Sequence, residues 1–166
     1  MDPVGSGDAR LLILGSLPGE ASLKSQRYYA HPQNQFWRLV GQAIGEGLAE
    51  LPYEDRLLRL ADRGIALWDV VGEAQRQGSL DGAIRGATPN RLREFVGTHP
   101  RLAAIAFNGK TAARQGRLAL GQMPQVDLID LPSSSPAYTL GLAEKAQRWN
   151  VLGRLASPAE AAKLVP

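Results

Sequence analysis

The chain has no cysteine. That absence removes thiolate zinc sites, iron–sulfur clusters, disulfides and thiol nucleophiles together. No apolar run is long enough to span a bilayer, and Met1 to Arg10 lacks the apolar stretch of a secretion signal. The expectation is a soluble cytoplasmic protein without a membrane partner. Lysine is scarce, and of Lys24, Lys110, Lys145 and Lys163 none is clearly set up as an amine nucleophile. Net charge is only +3, although 19 residues are Lys or Arg and 15 of them are Arg. The guanidinium fork suits phosphate, but compositional bias explains the excess equally well. The charge is informative only where Arg27, Arg38, Arg114 or Arg148 gather at a functional loop.

What is present is ample apolar material, 44% of 166 residues, enough for one domain over 1–166 with a full core. No repeat, low-complexity tract or linker divides it, and 157–166 reads as a tail or short helix. Short apolar runs at 10–14, 65–70, 102–107 and 126–131 read as strands. Helical spacing over 35–45, 53–62, 90–97, 110–120 and 140–155 fills the intervals. The alternation predicts a single-domain, three-layer α/β/α fold with a central, mainly parallel four-stranded sheet. Thr139 is placed to cap the last helix, and Trp149 lies on its apolar face as core. The segment 71–89 is polar and glycine-rich without a period, and reads as a long surface loop offering Arg76, Ser79, Asp81 and Arg85.

The most informative stretch is 14–37, LGSLPGEASLKSQRYYAHPQNQFW. Leu11 to Leu14 read as a buried strand whose carboxyl end opens into a crevice. Gly15 and Gly19 permit close backbone approach to a ligand, and Pro18 fixes the turn between them. A helix beginning near Asn34 would aim free N–H groups back at this loop.

This stretch resembles motif 1 of the uracil-DNA glycosylase superfamily, in which Gly-x-x-Pro-Gly follows the first strand. Tyr29-Ala30-His31-Pro32-Gln33-Asn34-Gln35-Phe36-Trp37 is similar to the run found in its mismatch-specific branch and hypoxanthine-DNA glycosylase relatives. Phe107-Asn108-Gly109, and Leu131-Pro132-Ser133-Ser134-Ser135-Pro136-Ala137 as motif 2, agree in order and type. The resemblance implies a monofunctional glycosylase, with neither metal nor cofactor, that flips a deaminated base from DNA. Hypoxanthine is the foremost such base, uracil and xanthine the others. It hydrolyses the N-glycosidic bond to leave an abasic site in base excision repair. The expected partner is single- or double-stranded DNA carrying that base, and the expected state is a monomer.

By the same resemblance Tyr29 is the stacking ring for an extruded base. Asn34 is the working amide, able to hold a water or leaving-group atom and to stabilise growing charge without taking a proton, and an Asn here is equally an ordinary helix cap. Asn108 has a donor beside an acceptor, the pattern that reads a lactam base bidentately; it could equally cap the helix at Lys110. Ser133, Ser134, Ser135 and Pro136 would contact DNA. Gly15, Leu17, Pro18, Gly19 and His31 complete the base-binding set.

One departure stands out. Where other branches carry Asp, Glu or Asn inside Gly-x-x-Pro-Gly, this chain has Ser16 and Leu17, so Ser16 joins Asn34 as a catalytic candidate and no carboxylate stands in the turn. Glu20, just beyond it, reads as a solvated charge. Motif 2 begins on Leu131 rather than a His, leaving His31 as the one candidate for that electrostatic help. Three rival classes are weighed. A zinc deaminase needs cysteine ligands and is excluded. A phosphate-cradling hydrolase needs Lys-Ser or Lys-Thr where Glu20-Ala21 stands. A non-catalytic damaged-base or nucleotide-binding module is the remaining alternative.

Overall fold

The computed structural model describes residues 1–75 and 85–158. Its strands are Leu11–Gly15 (β1), Ile65–Asp69 (β2), Val71–Gln75 (β3), Arg85–Pro89 (β4), Ala104–Asn108 (β5) and Asp127–Leu131 (β6). Its helices are Glu20–Ser25 (α1), Phe36–Ile44 (α2), Tyr53–Asp62 (α3), Leu92–Gly97 (α4), Lys110–Leu120 (α5), Leu142–Trp149 (α6) and Leu152–Leu155 (α7). Four strands form a parallel sheet of order β2-β1-β5-β6, the α/β fold that the alternating pattern predicts.

Both central strands are apolar because both faces are covered. Side chains alternate along β1. Leu11 and Ile13 join Phe36, Leu39, Val40, Leu60 and Trp149 in one core. Leu12 and Leu14 join Leu92, Phe95, Ala112 and Leu120 in the other. Thus α2, α3, α6 and α7 cover one face and α4 with α5 the other. Trp149, fully buried, is core as its helical spacing indicates, and its Nε1 donates to Pro132 O at 2.8 Å. Truncating such a ring costs about 3–5 kcal/mol, so the start of the 132–138 loop is held firmly.

Three expectations need correction. A six-residue helix, α1, follows Gly19 at once; Glu20 and Lys24, four apart at its two ends, are the signal overlooked. The segment 71–89 is no loop at its ends, because β3 and β4 pair antiparallel in a two-stranded sheet. Arg76, Ser79 and Asp81 lie outside the described residues, Arg85 opens β4, and 159–166 of the expected tail are likewise outside. The helix expected over 140–155 is two helices, and Thr139 does not cap it, since Gly141 occupies the N-cap with no side-chain hydrogen bond. Asn150 and β-branched Val151, weak helix formers, stand at the break.

The sheet register aligns the functional segments. Gly15 is opposite Asp69 on β2, and Asn108 is opposite Leu131 on β6. The carboxyl ends of β1, β2, β5 and β6 therefore open onto one edge, where α/β folds bind ligands.

Candidate functional site

At that edge lies a pocket of about 500 Å³, within the roughly 300–1,000 Å³ usual for small-molecule sites. The turn after β1 supplies Gly15, Ser16, Leu17, Pro18 and Gly19. The approach to α2 supplies Tyr29, His31 and Asn34, and β5 supplies Asn108. The loop after β6 supplies Ser133, Ser134, Ser135 and Pro136. The catalytic, base-binding and serine-loop candidates named from the sequence thus line a single cavity. Asp69, Tyr28 and Tyr138 line it as well and were not singled out from the sequence.

Gly15 is wedged. A Cβ there would stand 2.7 Å from Asp69 Oδ1 and 3.0 Å from the Tyr29 hydroxyl, so any side chain would displace one of them. Gly109 meets a second constraint, with φ +97° and a Cβ position 3.1 Å from Ser133 Cβ. Only glycine adopts that backbone without strain, and it lets the 132–138 loop fold down against Asn108.

The hydrogen bonds around Ser134 have one consistent direction. The Phe36 N–H donates to Asn34 Oδ1 at 3.0 Å, which fixes that atom as oxygen, because a backbone N–H can only donate. The Ser134 N–H donates to Asn108 Oδ1 at 2.9 Å, which fixes the second amide in the same way. Asn108 Nδ2 then donates to Ser134 Oγ at 2.9 Å, and that hydroxyl donates to Asn34 Oδ1 at 2.8 Å. Ser134 O accepts from Gln35 N at 3.0 Å. Asn34 Oδ1 is filled by two donors, so what this side chain offers the pocket is its Nδ2 hydrogens.

This network revises several expectations. Ser134 is 1% exposed and orients two amides instead of facing outward, whereas Ser133 and Ser135 are part-exposed and Pro136 is exposed. Asn108 does not present its whole amide edge to the pocket, because one donor and one lone pair are committed to Ser134. Asn34 is not the N-cap of α2, a position held by Gln35 without a side-chain hydrogen bond, but its Oδ1 accepts the Phe36 N–H just ahead of the helix while the side chain lines the pocket. Tyr29 is half-covered: it stacks on Phe36 with ring centroids 3.8 Å apart and planes 12° from parallel. Its φ of 55° is a strained backbone for a bulky residue. His31 is exposed, and its Nδ1 accepts from Gln33 N at 3.1 Å in the turn. Ser16 is buried and its carbonyl accepts from Val71 N at 2.8 Å.

The pocket's electrostatics come from within. No Arg or Lys is among its described lining residues; Arg27 pairs with Glu54 at 3.4 Å, and Arg38, Arg114 and Arg148 are exposed on α2, α5 and α6. Burial, reinforced by the nearby Asp69 carboxylate, pushes the Tyr28 hydroxyl far above its ordinary range. Tyr28 therefore stays protonated and donates to Asp2 O at 2.7 Å. Behind the pocket, Lys145 is 1% exposed; its Nζ donates to Gln35 Oε1 at 2.9 Å and Ser135 O at 3.3 Å. Desolvation lowers its pKa.

Comparison with known proteins agrees with this arrangement. A family model described as the uracil DNA glycosylase superfamily matches residues 3–155. A protein named hypoxanthine DNA glycosylase from Methanosarcina acetivorans is 38% identical over 147 residues, which is 89% of this chain and 92% of the relative. Another of that name from Methanosarcina barkeri is 36% identical over 149 residues, with the same shares covered. A solution NMR structure of a candidate uracil DNA glycosylase from Methanosarcina acetivorans superposes with a TM-score of 0.82 at 37% identity, covering 92% of this chain and 94% of that one. With the pocket at the carboxyl edge of a matching sheet and the matched span running almost end to end, the chain belongs to the uracil DNA glycosylase superfamily and is a DNA glycosylase.

Proposed function

We propose that the protein flips a deaminated base out of DNA, hypoxanthine in preference to uracil or xanthine, and hydrolyses its N-glycosidic bond to leave an abasic site. The observation that carries this reading is the orientation of Asn34, whose Oδ1 is filled by Phe36 and Ser134 so that its Nδ2 hydrogens remain for the pocket. A hypoxanthine leaving group gathers negative charge on its ring nitrogens and carbonyl oxygen as the bond breaks. A fixed donor aimed at that charge stabilises the transition state more than the ground state. The relatives named hypoxanthine DNA glycosylase support the choice of base.

The same geometry narrows the role of Asn34. An Nδ2 hydrogen can only donate and cannot take a proton from water, whereas it can stabilise the charge that gathers on the leaving base, so the amide serves the leaving base. Asn108 retains one donor and one lone pair with which to read the lactam edge. Tyr29 offers its uncovered face for stacking, and the part-exposed Ser133 and Ser135, with Pro136, contact the DNA backbone.

The test is a base-release panel on duplexes carrying deoxyinosine, deoxyuridine or deoxyxanthosine opposite each normal base, with strand scission assayed before and after alkali. Release from deoxyinosine above the others, with scission only after alkali, is expected. Binding without release from any duplex would instead identify a damaged-base binding module.

A further inference from the structure

The pocket holds donors where charge leaves, but hydrolysis also needs an acceptor for a water proton, and the Gly15–Gly19 turn contains none with a charge. Two carboxylates are among the described lining residues, Glu20 and Asp69. Glu20 is exposed on the first turn of the short α1, where solvent screens it. Asp69 is 4% exposed and is held from both sides. Val70 N donates to Gly15 O and Val71 N to Ser16 O, each at 2.8 Å, tying the end of β2 to the turn. Asn90 Nδ2 donates to Asp69 O at 2.8 Å. Asp69 Oδ1 lies 2.7 Å from where a Cβ on Gly15 would stand, so the carboxylate is turned toward the turn across a backbone that must lack a side chain.

We propose that Asp69 is the catalytic carboxylate, which holds the attacking water and takes its proton. This assignment rests on the glycosylase reading above. As the water oxygen bonds to the anomeric carbon, one water proton passes to Asp69. The glycosidic C–N bond breaks, and its electron pair departs on the base under the Asn34 Nδ2 hydrogens. The base is then protonated, and Asp69 returns to its ionised form. Acceptor and donor are thus divided between β2 and the α2 entrance, and the negative charge of Asp69 also favours the positive charge that develops on the sugar.

Asp69→Asn keeps the shape and removes the charge, and Asp69→Ser is the second variant should Asn disturb folding; thermal melts verify both. Single-turnover base release should fall by about 10²–10⁴-fold, the usual contribution of a general base. Duplexes holding a cationic pyrrolidine or a neutral tetrahydrofuran abasic analogue supply a readout that needs no base. Wild type should prefer the cation by about tenfold or more, as transition-state mimics are preferred, and the folded variant should lose that preference. Release within about threefold of wild type, or an unchanged preference, overturns the assignment. Should wild type release no base from any duplex, the glycosylase reading fails, and the analogue preference alone decides whether Asp69 faces the sugar.

Discussion

Ser134 Oγ donates to Asn34 Oδ1 at 2.8 Å, joining residues 100 positions apart in the chain. The same hydroxyl accepts from Asn108 Nδ2, so one small side chain bridges two amides whose directions backbone N–H groups fix. Each bond in such a chain polarises the next, which makes the Asn34 hydrogens better donors.

Ser134→Ala should leave Asn108 Nδ2 without its partner and Asn34 with one donor fewer. A buried amide stripped of its bond costs about 1–3 kcal/mol, which lowers the melting temperature by about 2–12 °C for a domain of this size. Base release should fall by about tenfold or more from the folded protein, as a misaimed donor would cause. Melting curves and single-turnover rates check both. A folded variant with an unchanged rate would show that Asn34 is held by its backbone partner alone.

Asn34→Asp replaces the Nδ2 donors with an oxygen that repels the departing base. Its rate should fall by at least the roughly 10²–10³-fold that removal of one oxyanion donor causes. Asn34→Ala should lose a similar factor while binding undamaged duplex normally. Base release measured beside duplex titration separates these outcomes, and equal loss of affinity and rate would argue against a leaving-group role.

Tyr29→Ala should affect stability and binding together, because the ring stacks on Phe36 as well as lining the pocket. Loss of base stacking weakens a damaged-duplex complex by about 1–3 kcal/mol, and loss of the aromatic pair removes about 0.5–1.5 kcal/mol from the fold. Tyr29→Phe should hold duplex affinity within about twofold, since stacking needs only the ring. Gel shift and thermal melt of the two variants distinguish a stacking ring from a purely structural one.

Burial lowers the pKa of Lys145 from its ordinary 10.5, which makes a definite prediction for stability. Between the folded value and 10.5 the unfolded chain binds more protons than the folded one, so this group makes stability rise with pH through that window. Below the window its burial as a cation remains a constant cost. Lys145→Met should lack this rise, so the stability of wild type relative to the variant should increase toward alkaline pH. Denaturant melts at several pH values read the difference, and parallel curves would contradict it.

Much of the scaffold was legible in the sequence. Short apolar strands flanked by helical periodicities give the parallel sheet, because the central strands β1 and β5, covered on both faces, carry apolar residues at successive positions. The Gly15–Gly19 turn declared itself through its glycines and proline after an apolar strand, whereas Asn34, Asn108 and the serine loop were named through the resemblance to the superfamily's motifs, and all of them line one pocket. Asp69 did not, because a lone Asp at a strand end looks like any solvated turn residue until the register sets it opposite Gly15. The inward aim of Ser134 was equally hidden, since alternating exposure in a Ser-Ser-Ser run depends on which neighbour the loop folds against. The β3–β4 pairing escaped because its strands lack clean alternation, and its register is itself irregular.

The long reach of these contacts bears on how the enzyme comes into being. Lys145 meets Gln35 across 110 positions, and Ser134 meets Asn34 across 100, while β5 and β6 must already lie side by side. Closing loops of that size is entropically late in folding. A chain that has emerged only as far as β5 therefore carries Tyr29, Asn34 and Asp69, with the Phe36 N–H on Asn34 Oδ1 but without the Ser134 hydroxyl that is its second partner. The pocket wall formed by Ser133 to Pro136 is added only once the segment after β6 is in place.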